Sequence, residues 1–235
     1  MRTMRILAID ASTETCAVAL GDGLRWDEHS VIAGQRHSEL LLPMIRALLD
    51  ESGAALASLD GIAFGAGPGS FTGLRIACGV AQGLALGAGL QVLGVSTLEA
   101  LAETARQRDG AMRVIAALDA RMREVYVAAY RHDGARWHES IAPAVIGPDA
   151  APLPEGGGWT GVGSGFAAYP ALRGRYASSL ASCEPALAPT ATAIGSLALP
   201  RLAAGEGVAA RDAAPIYVRH KVALTSAERA LGLRQ

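Results

Sequence analysis

The chain opens twice. Residues Met4-Arg5-Ile6-Leu7-Ala8-Ile9-Asp10-Ala11 return as Met112-Arg113-Val114-Ile115-Ala116-Ala117-Leu118-Asp119-Ala120, with one residue more. Each copy is an apolar run closed by an aspartate. Each continues through a polar turn into a second apolar run (residues 16–20 and 125–130) and then a glycine hairpin (residues 21–23 and 132–134). Continuous apolar runs of this kind read as central strands, and a repeated opening points to a duplicated half-domain. The fold class that follows is α/β with two related lobes. The charged stretch Arg106-Gln107-Arg108-Asp109-Gly110 lies just before the second copy and marks the boundary, giving lobes of residues 1–108 and 109–235.

Between the two openings stands Gly61-Ile62-Ala63-Phe64-Gly65-Ala66-Gly67-Pro68-Gly69-Ser70-Phe71-Thr72-Gly73-Leu74-Arg75. A short buried strand breaks on glycines around Pro68, and a helical pattern follows. Strand, glycine loop and helix are the parts of a phosphate-facing turn, where backbone N–H groups and a helix N-terminus face an anion. Asp10 with Ser12 and Thr13, and Gly67, Gly69 and Ser70, are therefore the candidate nucleotide or phosphate residues. The specific signatures fail: Ser70 stands where a dinucleotide fingerprint needs glycine, and the only lysine is Lys221, far from the loop. The same glycines serve equally for a sharp turn and close helix packing, and Asp10 serves equally for an Asx turn.

The remaining elements follow from period and punctuation. Residues 24–32 supply a third strand. A helix starts at His37 or Ser38, has apolar positions Leu41, Leu42, Ile45, Leu48 and Leu49, places Pro43 near its first turn and closes at Ser52-Gly53. Residues 91–95 form a strand, and Ser96 or Thr97 caps the next helix. In the second half, residues 143–158 read as loop, residues 159–165 as a strand ending in glycines and a candidate strand-to-helix turn, and a helix capped at Thr190 or Thr192 runs to about Ala204. The tail around Pro215-Ile216-Tyr217-Val218-Arg219-His220-Lys221 reads as a strand or extended arm.

Composition narrows the function classes. Hydrophobic residues make up 51% and charged residues 18%, enough for a core and too apolar for a disordered chain. Net charge is −1, which argues against a surface that grips nucleic acid unaided. Cys16, Cys78 and Cys183 are widely spaced, as buried thiols of a reducing compartment would be, and the chain is expected in the cytoplasm. The five histidines form no H-x-x-x-H pair, so no metal site is expected. Ser70 lacks the nucleophile-elbow context, so a peptidase or other serine hydrolase has no support. The dense turn Asp119, Arg121, Arg123 and Glu124 reads as surface ion pairs. The stretch from Leu74 to Leu93 is long enough to span a membrane, but Arg75, Gln82 and its glycines favour a helix between protein layers. Ile76, Val80 and Leu84 make that helix apolar nearly all round, which fits an interface with another protein.

Taken together, Asp10-Ala11-Ser12-Thr13, His37-Ser38-Glu39-Leu40-Leu41, Gly67-Pro68-Gly69-Ser70-Phe71-Thr72-Gly73-Leu74-Arg75, Gly94-Val95-Ser96-Thr97-Leu98-Glu99-Ala100, Asp119-Ala120-Arg121 and Pro215-Ile216-Tyr217-Val218-Arg219 resemble the TsaB (YeaZ) family. The resemblance covers essentially the whole chain. It implies the actin-like ATPase fold shared with sugar kinases and Hsp70, with the tail packed back on the first lobe. It implies a non-catalytic subunit of the machinery that makes N6-threonylcarbamoyladenosine in tRNA, paired with a catalytic paralogue, TsaD, and joined by the ATPase TsaE. The tRNA would be reached through the complex, and the chain in isolation could form a homodimer. Where TsaD carries its metal-binding H-x-x-x-H, this chain aligns Thr97 and Leu101. No catalytic residue and no cofactor of its own is then expected, with ATP or ADP possible at the subunit junction. The partner interface implied is Leu41, Leu42, Ile45, Leu49, Arg75, Ile76, Val80 and Leu84. The reading from another class is a self-sufficient nucleotide-dependent enzyme built on Asp10 and the glycine loop.

Overall fold

The structure is a computed structural model, and it describes residues 3–219. The first opening folds as β1 (Ile6–Asp10), β2 (Thr15–Gly21) and β3 (Trp26–Ile32), joined antiparallel. Helix α1 (His37–Glu51) leads to β4 (Gly61–Gly67), α2 (Phe71–Ala88) and β5 (Val92–Ser96). Strand β4 pairs parallel to β1 and β5 parallel to β4, so the sheet order is β3-β2-β1-β4-β5. After α3 (Thr97–Asp109) come β6 (Arg113–Asp119), β7 (Val125–His132), β8 (Trp137–Ile146), β9 (Trp159–Val162) and β10 (Leu180–Glu184). Their order is β10-β9-β6-β7-β8. The pattern of antiparallel and parallel pairs is also that of the first sheet. The repeated opening is thus the visible part of a repeated sheet. The architecture is α/β, built on two five-stranded mixed sheets of the same plan.

The second lobe departs from the sequence reading where its apolar signal is weakest. Residues 143–146 belong to β8 and are not loop. Proline is tolerated there because β8 is an edge strand with a register shift, where Val127 faces Ala144 and Ala129 faces Ile141. The short helix α4 (Ser164–Ala168) follows the glycine turn after β9, as the strand-to-helix reading of residues 159–165 expects, whereas strand β10, half exposed, and the short helix α5 (Pro170–Arg175) leave no periodic signal. In α1 the residue before the helix is Arg36, with no side-chain cap. His37 and Ser38 lie inside the helix, and Pro43 falls in its second turn.

The two lobes exchange helices across the predicted boundary. Helix α3 places Leu98, Leu101, Ala102 and Ala105 against Val114, Ala116 and Val162 of the second sheet. Helix α6 (Ala191–Ala203) places Ala191, Ile194, Ala198 and Leu202 against Ile6, Ala8 and Ala63 of the first. Glu103 ties the crossing together: it is buried, accepts from Arg106, Gln107 and the Trp137 indole, and Gln107 donates on to Ser196 of α6. The division at residues 108 and 109 marks a change in charge along the chain. Burial follows apolar faces, and these put α3 with the second sheet and α6 with the first. The other face of the first sheet is covered by α1 and α2 side by side, through Leu41, Ile45, Leu48, Ala77, Ala81 and Ala85.

Candidate functional site

Strand β1 ends at Asp10, whose carboxyl group is wholly buried. Its Oδ1 accepts the Ser12 N–H at 3.0 Å, an Asx turn, while Oδ2 and the Ser12 hydroxyl have no hydrogen-bond partner among the described residues. Burial dominates, and the Asp10 pKa rises from 3.8 to about 7. On the neighbouring strand, a Cβ at Gly65 would lie 2.3 Å from Asp10 Oδ1, so only glycine admits the carboxylate.

The glycine loop closes onto this turn. The Ser70 N–H donates to the Ser12 carbonyl at 2.8 Å. A Cβ at Gly69 would meet that carbonyl oxygen at 2.3 Å, and one at Gly73 would meet the Ala11 oxygen at 1.8 Å. The Ser70 hydroxyl caps α2 by accepting from the Gly73 N–H, and the Thr13 hydroxyl accepts from the Thr15 N–H. Asp10, Ser12, Gly69 and Ser70 therefore do come together. Their contacts interlock two loops of the same lobe, and the Ser70 and Gly73 amides both have protein acceptors. Gly67, at φ 121°, lies beneath the tail, where a Cβ would meet the Ile216 oxygen at 2.6 Å.

In the second lobe the matching aspartate is Asp119. Its carboxylate accepts from the Arg121 N–H, the Arg121 guanidinium and the Tyr169 hydroxyl at 2.8–2.9 Å. The turn it starts carries Arg121, Met122 and Arg123 at φ 61°, 53° and 61°. Three successive left-handed residues, none of them glycine, are a strained arrangement. No sequence signal announces it.

The expected partner face divides in two. Leu41 is fully buried and Ile45 nearly so, which makes both core residues of the chain itself and removes them from any docking surface. Ile76, Val80, Leu84 and Leu49 are half-buried against the same core. Helix α1 turns Leu42 outward among mostly polar residues, and α2 turns out Phe71, Arg75, Gly79, Gly83, Leu86 and Gly87. Leu42 is 50% and Leu86 78% exposed, and nothing lies within 4 Å of a Cβ built at Gly79, Gly83 or Gly87. Helix α2 is the one described helix long and apolar enough to cross a membrane, yet its Leu74, Ala77, Ala81 and Ala85 stripe lies in the protein core. It is buried on one side only and not between two layers.

Thr97 and Leu101, which the resemblance sets at metal-ligand positions, are both fully buried in α3, and Leu101 packs in the second core. Of the described histidines, His29 contacts Glu51, His138 contacts Asp133, and His132 stacks edge-on against Trp137. His220 and Lys221 lie outside the described residues.

Comparison with known proteins accords with this geometry. A family model described as TsaD, tRNA N6-adenosine threonylcarbamoyltransferase, matches residues 30–212. The tRNA threonylcarbamoyladenosine biosynthesis protein TsaB of Escherichia coli K12 is 42% identical over 224 residues, covering 94% of this chain and 96% of that protein. This chain belongs to the TsaB (YeaZ) family. The TsaB of Haemophilus influenzae is 37% identical, again over 94% of this chain and 96% of that protein. Two solved structures from Pseudomonas aeruginosa resemble it closely. One, described as an uncharacterized protein with similarity to peptidase YeaZ, superposes with TM-score 0.86 at 42% identity over 92% of this chain and all of that one. The other, YeaZ, superposes with TM-score 0.83 at 42% identity over 91% of this chain and 99% of that one.

Proposed function

We propose that this TsaB-family chain is a non-catalytic scaffold subunit in the synthesis of N6-threonylcarbamoyladenosine in tRNA. It works in the cytoplasm, pairing with a catalytic TsaD-type paralogue through the outward faces of α1 and α2. TsaE joins the assembly, the tRNA is held mainly by the partner, and ATP or ADP is confined to the subunit junction. The family carries the pathway. The observation that carries the scaffold role is the outward stripe of α2. Gly79, Gly83 and Gly87 recur every fourth residue with open space beyond them. Each glycine costs an isolated helix roughly 1 kcal/mol against alanine, and the folded monomer makes no use of their smallness. A second helix lying across that stripe does, because it can approach the backbone closely. Thr97 and Leu101 supply no metal ligand at the positions where the paralogue has imidazoles.

The test is light scattering of the chain alone and mixed with the TsaD-type paralogue of the same organism. A new species at the heterodimer mass is expected, weakened by Leu86→Asp or Gly83→Leu, both on the exposed stripe. No complex at micromolar concentrations, with and without nucleotide, would sink the reading.

The nucleotide-dependent enzyme remains a second reading because Asp10 Oδ2 and the Ser12 hydroxyl are buried without hydrogen-bond partners among the described residues. Against it stands the closure of the glycine loop on residues 11–12, which gives the Ser70 amide a protein acceptor where a phosphate would need it free. Tight ATP binding by the isolated chain, lost in Asp10→Ala, would favour this alternative.

A further inference from the structure

The described chain ends in a segment, residues 213–219, that has no regular secondary structure yet is bonded along its length. It begins on the first lobe. The Ala213 carbonyl accepts from Gln82 Nε2 of α2 at 2.9 Å, and the Ile216 N–H donates to the Ala66 carbonyl at the end of β4 at 2.7 Å. Tyr217 follows, its hydroxyl accepting from Arg75 Nε at 3.1 Å and its ring 5.9 Å from that of Phe71. Two residues later the segment is on the second lobe. The Arg219 guanidinium donates to the Ala120 carbonyl at 3.1 Å and to the Glu124 carboxylate, and it lies against the Met122 sulfur. These are the two ends and the middle of the left-handed turn. Arg219 thus touches the turn at Met122 and bridges the residue before it, Ala120, and the residue after it, Glu124.

We propose that residues 213–219 form a strap that fixes the two lobes relative to one another, with Arg219 as its latch on the strained turn. The turn alone has two backbone bonds, Ala120 N–H to Glu124 O and Glu124 N–H to Arg121 O, to hold three left-handed residues. The latch adds a charge-assisted clamp across the same residues. Seating the strap also completes the exposed end of α2. Phe71, with the Arg75 guanidinium 3.8 Å above its ring, acquires Tyr217 as a neighbour, all three on the surface. Aromatic and arginine side chains grouped in this way are typical of binding hot spots. On the scaffold reading above, on which this last step rests, the docking face is therefore whole only when the strap is latched. The state of the second lobe is then felt at the partner.

The test is hydrogen exchange followed by mass spectrometry on the full chain, comparing the wild type with Arg219→Ala, Arg219→Lys and Glu124→Gln. Arg219→Ala is expected to speed exchange at least tenfold at the Ala120 and Glu124 amides and at the Ile216 amide together. Glu124→Gln, made from the other side of the latch, is expected to do the same more weakly. Arg219→Lys, which keeps the charge and loses the fork, is expected to fall between wild type and Ala. Loosening confined to one end, the turn without Ile216 or Ile216 without the turn, overturns the strap. So does unchanged exchange in both Arg219→Ala and Glu124→Gln. A complex measurement separates the two readings. Normal coupling in exchange with no binding of the paralogue by the wild type removes the docking step and leaves the strap. Normal binding with no coupling removes the strap alone.

Discussion

Asp10 ends β1 with its carboxyl group buried and one oxygen, Oδ2, without a hydrogen-bond partner among the described residues. Its folded pKa of about 7 lies above the free value of 3.8. Between those values the folded chain holds a proton that the unfolded chain has released, so stability falls as pH rises through that window and is complete below it. A shift of this size corresponds to at most about 4 kcal/mol. Urea melts of wild type and Asp10→Asn from about pH 4 to about pH 8 should therefore diverge, the variant gaining on the wild type as pH rises. Parallel curves would mean that Asp10 is not buried as an acid. Gly73 is the most tightly confined glycine of this turn, since a methyl group there would overlap the Ala11 carbonyl. Gly73→Ala should cost roughly 3 kcal/mol in the same melts, through forced separation of the two loops. A cost under roughly 1 kcal/mol would show that the loops are not interlocked.

Helix α2 carries both kinds of glycine, which lets one element separate folding from docking. Gly73 faces the core turn, whereas Gly79 and Gly83 face open space. Gly79→Ala and Gly83→Ala should each raise the stability of the isolated chain by about 0.5–1 kcal/mol. On the scaffold reading each should also weaken the complex with the TsaD-type paralogue, by roughly tenfold or about 1.4 kcal/mol. Thermal melts and calorimetric titration of the same two proteins give both numbers. A gain in stability with unchanged affinity would place the partner elsewhere. Helix α1 shows the limit of periodicity as a guide to interfaces. Its apolar positions were readable, but Leu41 and Ile45 turn inward and Leu42 outward. Periodicity identifies an apolar face without saying whether the chain or a partner covers it.

At the scale of the molecule the exchange of α3 and α6 makes the two lobes one folding unit. Without α6, the face of the first sheet bearing Ile6, Ala8, Ala17, Ala19 and Ala63 keeps only Ala100 of α3 as helical cover, because Ile194, Ala198 and Leu202 come from the far end of the chain. A fragment of residues 1–108 should therefore show no cooperative thermal transition by circular dichroism, while the full chain should unfold in one. A cooperative melt of the fragment would mean that the lobe boundary drawn along the sequence is also the physical one. The strap of residues 213–219 acts in the same direction, returning the chain to the first lobe before it reaches the second.

The duplicated openings, the strand ends at Asp10 and Asp119, the glycine loop and the apolar faces of α1, α2 and α3 were all legible in the amino-acid order. These features depend on residues close together in the chain, where period, chirality and turn chemistry act directly. Tertiary structure decided the rest. It turned the phosphate-like loop inward onto residues 11–12, sent α6 to the first sheet and α3 to the second, and made Leu41 core and Gly79 surface. It also held Arg121, Met122 and Arg123 left-handed beneath a side chain nearly a hundred residues away. Each of these outcomes depends on which distant surface covers which group. That is a matter of packing and desolvation across the whole molecule, and no local pattern in the sequence encodes it.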